Sequence, residues 1–144
     1  MTEAPNTATL FFIAHRAAET QIMEALRAHG FDDLTVAQCR IIQRLSPNGI
    51  RITELAEQAQ VTKQTAGALI DELERSGYVL RKPDPSDARA RLIVLSARGE
   101  KLCKAATVEV TKVEADWRAQ VGPEAYQRLR DMLMSLREIT DPYQ

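Results

Sequence analysis

Two apolar repeats at helical spacing, followed at once by a charged hairpin, leave this chain few ways to fold. Ile52, Leu55, Ala56 and Ala59 fall at i, i+3, i+4 and i+7, so one face of a short helix is apolar. Ala66, Leu69, Ile70 and Leu73 repeat that spacing in a second helix. Thr53 and Thr62 are the expected N-caps, each hydroxyl accepting from an early backbone N–H. Gly77 is the expected stop of the second helix. Two β-rich pieces follow, Tyr78 to Lys82 and Ala90 to Leu95, around Pro83-Asp84-Pro85-Ser86-Asp87, where prolines fix φ and Asp and Ser bond to local backbone. Two short helices and a hairpin in this order make a winged helix-turn-helix, a geometry suited to reading DNA.

The outward face of the second helix carries the polar chemistry. Thr62, Lys63, Gln64 and Thr65 bring hydroxyls, a cation and an amide to its first turn, which suits phosphates and base edges in a major groove. Gly67 and Ala68 lie on the same face. A glycine inside a helix costs about 1 kcal/mol relative to alanine. Either it lets the helix approach DNA closely or it is a tolerated flaw. In the hairpin, five cations (Arg81, Lys82, Arg89, Arg91, Arg98) stand against Asp84 and Asp87, a local charge of 5 − 2 = +3 in a chain whose net charge is −1. Positive charge is thus concentrated where phosphate binding would need it. Arg89 and Arg91 share one strand face, and Asp87 is placed to hold the Arg89 guanidinium in a bidentate pair. Alone, the hairpin reads equally well as a solvated surface; directly after a helix-turn-helix, the phosphate-binding reading is preferred.

Around this lobe lie longer helices. Residues before Ala8 read as a loose arm. From there to His29 a helix, ended by Gly30, is apolar over a wide arc through Leu10, Phe11, Ile13, Ala14, Ala17, Ala18, Ile22 and Leu26, and needs two neighbours to cover it. Thr35 and Gln38 have capping-box spacing at the start of the next helix, with Leu34 placed to staple onto Cys39. That helix runs through Ile42 and Leu45 to the turn cluster Ser46-Pro47-Asn48-Gly49, and Ile50-Arg51-Ile52 has the length of a third wing strand. Ser96 is positioned to cap a helix from Ala97 to about Ala119, marked by Leu102, Ala106, Val110, Val113 and Trp117. Gly122 breaks it and Pro123 opens the last helix, striped by Tyr126, Leu129, Leu133 and Leu136 and widened by Met132, Met134 and Ile139. An exposed stripe of that breadth invites aggregation, so the first and last helices read as a dimer interface.

Composition excludes several classes. With 144 residues one domain is the prior, and 44% hydrophobic and 27% charged residues can build a core and keep it in water. No apolar run is long enough for a membrane span, and Met1-Thr2-Glu3-Ala4-Pro5 lacks the basic start of a signal peptide, so a cytoplasmic location without membrane contact is expected. Two cysteines, Cys39 and Cys103, and two histidines, His15 and His29, have no metal-ligand spacing. No carboxylate pair, Ser-His-Asp order or phosphate-cradling glycine loop points to catalysis. The expectation is a protein that is not an enzyme and carries no metal or cofactor.

Thr53-Glu54-Leu55-Ala56, the run Thr62 to Leu73, Gly77-Tyr78-Val79, Asp87-x-Arg89-Ala90 and the exit Leu92, Val94, Leu95, Ser96, Gly99 resemble the MarR family of bacterial transcription regulators. The Asp-x-Arg wing and the Leu-Ser-x-x-Gly exit are the more specific parts, and the flanking helices extend the resemblance over nearly the whole chain. Gln60 stands where the family's turn often has Gly, and Ala68 where a polar or Arg side chain is common. The resemblance implies a mainly α fold with a small β-hairpin wing: a winged helix-turn-helix lobe over residues 34–96, flanked by dimerisation helices at 8–30 and 97–140. It further implies a homodimeric repressor on a pseudo-palindromic double-stranded DNA operator, with the second helix in the major groove and the Arg wing in the minor groove. Family ligands sit between the dimer helices and the DNA-binding lobe. Phe11, His15 and Cys39 are the candidate contacts here for an aromatic or phenolic effector, though His15 reads more readily as a packed or surface histidine.

Two other readings stay open. The acidic set Asp71, Glu72 and Glu74, with the apolar outer helices, suits a protein-interaction module that leaves DNA alone. Cys39, near a helix N-terminus with Arg40 beside it, has the setting of a redox-sensing thiolate, while its staple position suits an inert core residue.

Overall fold

The fold comes from a computed structural model that describes residues 3–143. Six helices and one hairpin follow in the order α1 (Thr7–Ala28), α2 (Val36–Ile42), α3 (Ile52–Ala59), α4 (Lys63–Arg75), β1 (Val79–Asp84), β2 (Asp87–Leu95), α5 (Ala97–Val121) and α6 (Pro123–Thr140). The mainly helical architecture with a two-stranded wing is the one expected. The loose-arm reading falls partly on Met1 and Thr2, which lie outside the described residues. Within them, Asn6 already caps α1, its side chain accepting from the Thr9 N–H at 2.9 Å.

Most helix ends are set by residues within one turn. Thr35 and Gln38 form a reciprocal capping box on α2. Thr62 caps α4 and Ser96 caps α5 through the N–H groups of Thr65 and Gly99. Pro123 opens α6.

Three local expectations fail. Thr53 does not cap α3: the N-cap is Arg51, with no side-chain cap bond, because the apolar set starting at Ile52 draws that residue into the helix. The same capture ends the expected third strand. Ile50 makes one antiparallel bridge, exchanging both backbone bonds with Ile93, and the chain then turns into α3. α2 stops at Ile42, and Arg44 and Leu45 continue it only through tight i to i−3 bonds.

The wing strands pair antiparallel from Val79↔Leu95 to Pro83↔Arg91, with an irregularity before Asp84↔Asp87. Both strands run farther than the sequence suggested and leave a shorter turn at the tip. The core lies under the lobe: Leu55, Ile70, Leu73, Tyr78 and Val79 are fully buried, joined by Ile41 and Ile93 and by Met23 and Leu26 of α1. Gly99 is the tightest point. A Cβ there would stand 2.2 Å from the Tyr78 carbonyl oxygen, so only glycine lets α5 start against the first strand.

Candidate nucleic-acid interface and effector cavity

At the start of α4 the cap serves the helix itself. The Thr62 hydroxyl accepts from the Thr65 N–H and donates to the Thr65 hydroxyl oxygen, both at 3.0 Å. Lys63, Gln64, Thr65 and Ala68 face water, while Ala66, Ile70 and Leu73 go to the core. Gly67 is half-buried, and a Cβ on it would meet Ile52 Cδ1 at an ordinary 3.7 Å. The protein's own packing therefore does not require glycine there.

Gln60 ends α3 in the left-handed region at φ 57°, ψ 42°, a conformation uncommon outside glycine. Its side chain compensates by donating to the Glu57 carbonyl at 2.8 Å and to the Tyr143 hydroxyl at 3.2 Å. Tyr143 in turn donates to the same Glu57 carbonyl at 3.0 Å. The chain's last described residue thus braces the turn that sets the angle between α3 and α4, a contact no local pattern announces.

In the wing, charge is sorted by partner. Arg81 is held by Asp71 and Glu74 of α4, each at 2.7 Å. Burial works against its charge and those two carboxylates outweigh it, leaving its pKa raised. Arg98 lies over the Tyr78 ring and bonds Asp33 and the Ser76 carbonyl. The Tyr78 hydroxyl donates to Asp33; burial first, and that bond second, push its pKa up. Burial alone would raise the Asp33 carboxyl, but Tyr78 and Arg98 hold it below its ordinary value.

At the tip, Arg51 donates to Asp84 at 2.8 Å and approaches Asp87 at 3.9 Å. The Ser86 backbone N–H and hydroxyl, with Arg51, hold the Asp84 carboxyl low. Asp87 therefore does not clamp the Arg89 guanidinium as expected. It accepts from the Arg89 backbone N–H at 3.0 Å, because a residue two places away in the turn offers its backbone sooner than its side chain. Two of the five wing cations are spent internally, and Arg51 answers both anions. The +3 survives on other residues: Lys82, Arg89 and Arg91 are exposed and make no ion pair among the described residues.

The same pairing dissolves the acidic patch. Asp71 and Glu74 serve Arg81, and Glu72 accepts from Gln38 Nε2 at 2.8 Å. Gln38 is buried and also completes the capping box of α2, so one amide ties that helix to α4. Sequence reading found its cap role and missed its second partner.

A cavity of about 400 Å³ opens between α1, α2 and α5. His15 and Cys39 line it; Phe11, one turn earlier, does not and stays exposed. The Cys39 thiol donates to Met23 Sδ at 3.3 Å and has its pKa pushed up to about 11, by burial first and then by the Glu19 charge. The expected help from Arg40 is missing because its guanidinium is taken by Glu19, at 3.0 and 3.1 Å. Cys39 is thus a protonated thiol, opposite to what a peroxide-reactive thiolate needs. Among the described residues no group of three or more His, Cys, Asp or Glu is arranged to hold a metal, and no helix is long and apolar enough to cross a membrane.

Residues 32–90 match the model described as the MarR family. The chain is 32% identical over 97 residues to the transcriptional regulator HosA of Escherichia coli O111:H-, covering 67% of this chain and 72% of that one. It is 31% identical over 110 residues to the HTH-type transcriptional regulator FarR of Neisseria gonorrhoeae, covering 76% and 75%. Among solved structures, the Mycobacterium tuberculosis MarR family protein Rv2887 in complex with salicylic acid superposes with a TM-score of 0.68 at 27% identity, covering 94% of this chain and 99% of that one.

Proposed function

Because the chain belongs to the MarR family of transcriptional regulators, we propose that it is a ligand-responsive homodimeric repressor that binds a pseudo-palindromic operator. The observation that carries the reading is the sorting of charge on the lobe. Asp71, Glu74, Asp84 and Asp87 beside the wing each have an internal partner, while Lys63 and Gln64 on α4 and Lys82, Arg89 and Arg91 on the wing stay exposed. Gln64 offers its amide to base edges in the major groove, and Lys63 and Thr65 bind phosphates beside it. Arg89 and Arg91, on one strand face, follow the adjacent minor groove and its backbone.

One lobe alone makes too few contacts to hold an operator at physiological salt. Two lobes related by a two-fold axis read half-sites about one helical turn apart. The surface for that pairing is the apolar face that this chain leaves open: Leu10, Phe11, Phe12 and Ile13 of α1 with Leu129, Leu133 and Leu136 of α6. An aromatic or phenolic effector seated between α1, α2 and α5 would bias the distance between the two α4 helices, and DNA affinity with it, by preferring one spacing. The salicylic acid in the Rv2887 complex supports a ring of that size.

Operator titration at several salt concentrations tests the proposal. Affinity should fall steeply with salt. Arg89→Ala should weaken all sequences alike and lower the salt slope by about 1, whereas Gln64→Ala should change which sequence is preferred. A flat salt response would remove the phosphate contacts and the proposal with them.

A further inference from the structure

We propose that the cavity between α1, α2 and α5 selects its ligand by charge, taking an apolar ring that bears a cationic or hydrogen-bond-donating head group and rejecting aromatic carboxylates. This rests on the effector reading above and narrows it. Most of the wall is apolar, with Ile22, Leu26, Ile42, Leu102 and Val110 among its members. No Lys or Arg belongs to it. Its one carboxylate is Glu19, whose side chain is only 15% exposed. Arg40 approaches that carboxylate from outside: its side chain is 58% exposed and does not line the cavity. The ion pair is therefore oriented, guanidinium toward water and carboxylate toward the cavity. Its bidentate bond holds Glu19 ionised, with a pKa below the ordinary value in spite of burial.

The negative field reaches the interior. Cys39, on the wall, has its thiol pushed up by burial and then by Glu19; Cys103, also on the wall, is raised by burial and then by Glu100. Burial opposes a charge of either sign in this space, and Glu19 adds to that opposition for a negative one. The remaining polar neighbour of that carboxylate is His15, whose Nε2 lies 3.5 Å from Glu19 at an exposed position. Bound to Arg40, Glu19 keeps lone pairs for a ligand N–H or O–H. A carboxylate head group would face like charge in a half-enclosed space with no Lys or Arg to meet it.

Benzylamine, benzyl alcohol and benzoate carry these three head groups on the same ring, so titrating each into the full-length protein isolates the charge. Benzylamine should bind tightest and benzoate weakest, with a spread of at least about tenfold. Glu19→Gln should compress that spread to about threefold or less, and Arg40→Gln, which strips the outer cation, should widen it. Thermal melts followed by circular dichroism verify that each variant folds; if Glu19→Gln does not, Arg40→Gln decides alone. Benzoate binding as tightly as benzylamine to the wild-type protein, or a spread unmoved in the variants, overturns the charge selection and leaves the effector reading standing. If none of the three binds while operator DNA still does, the effector reading itself fails and takes this proposal with it.

Discussion

The lobe and the terminal helices are written in the same apolar code and end up in opposite conditions. In α3, α4 and the first strand, the residues at helical or strand spacing are sealed: Leu55, Ile70, Leu73 and Val79 have no exposure. In α6, only Tyr126 is buried, while Leu133 is 40% and Ile139 83% exposed. Periodicity identifies a face that needs cover and says nothing about where the cover comes from. The lobe finds its cover within the chain, because α2, α5 and β2 close on it. The outer faces of α1 and α6 find none there, which is why the proposed dimer belongs to these helices. Charge follows the same division. Arg51 and Arg81 are paired within the lobe and Arg98 at its edge, while the cations on the side proposed to meet DNA make no ion pair among the described residues.

The contrast can be broken at its open end first. Leu133→Glu together with Leu136→Glu should leave the lobe folded and abolish pairing, so that sedimentation gives one chain's mass and operator affinity drops by about a thousandfold. A pair of chains surviving that change would move the interface elsewhere; emission from Trp117, the only tryptophan, reports on the same helices. The sealed end is tested by Gly99→Ala. Its Cβ would collide with the Tyr78 carbonyl, so urea unfolding should show a loss of about 3 kcal/mol, and a neutral result would mean that α5 shifts freely on the hairpin.

A gradual effect is expected in acid. Glu19, Asp33 and Asp84 all have pKa values below those of the unfolded chain, so their contribution is present above the unfolded values and lost as pH falls through the folded ones. Melting temperature should be level near neutrality and decline below about pH 5, the decline starting with Glu19. A decline setting in above pH 6 would mean that these three carboxylates do not govern the acid limb. The smallest change is Gly67→Ala, which should raise stability by about 1 kcal/mol, since the site has room and helical geometry. If the same variant weakens operator binding, the glycine serves the approach of α4 to DNA; unchanged binding would make it a tolerated flaw.

The reach of sequence reading tracked the distance between partners. The capping box of Thr35 and Gln38 and the caps Thr62 and Ser96 were legible because each side chain meets a backbone group three residues away. So was the concentration of positive charge on the hairpin, though not its division into paired and free residues. Asp87 was assigned the wrong partner atom on Arg89, because side-chain and backbone bonds to a near neighbour share one spacing. The Arg51–Asp84 pair, the hold of Asp71 and Glu74 on Arg81, and the bond from Gln38 to Glu72 all join separate elements. Phe11 shares a helix face with His15 one turn away, yet the cavity begins at His15 and does not reach back to it.

By itself the chain of residues determined the six helices and the hairpin, most of the helix caps, and which faces must leave water, since those preferences act over a few residues. Only the tertiary structure decided which cation meets which carboxylate, that Glu19 turns toward a cavity while Arg40 turns away, and that Tyr143 returns to brace Gln60. Those outcomes depend on how helices cross and where their ends arrive, and no short-range rule carries that information.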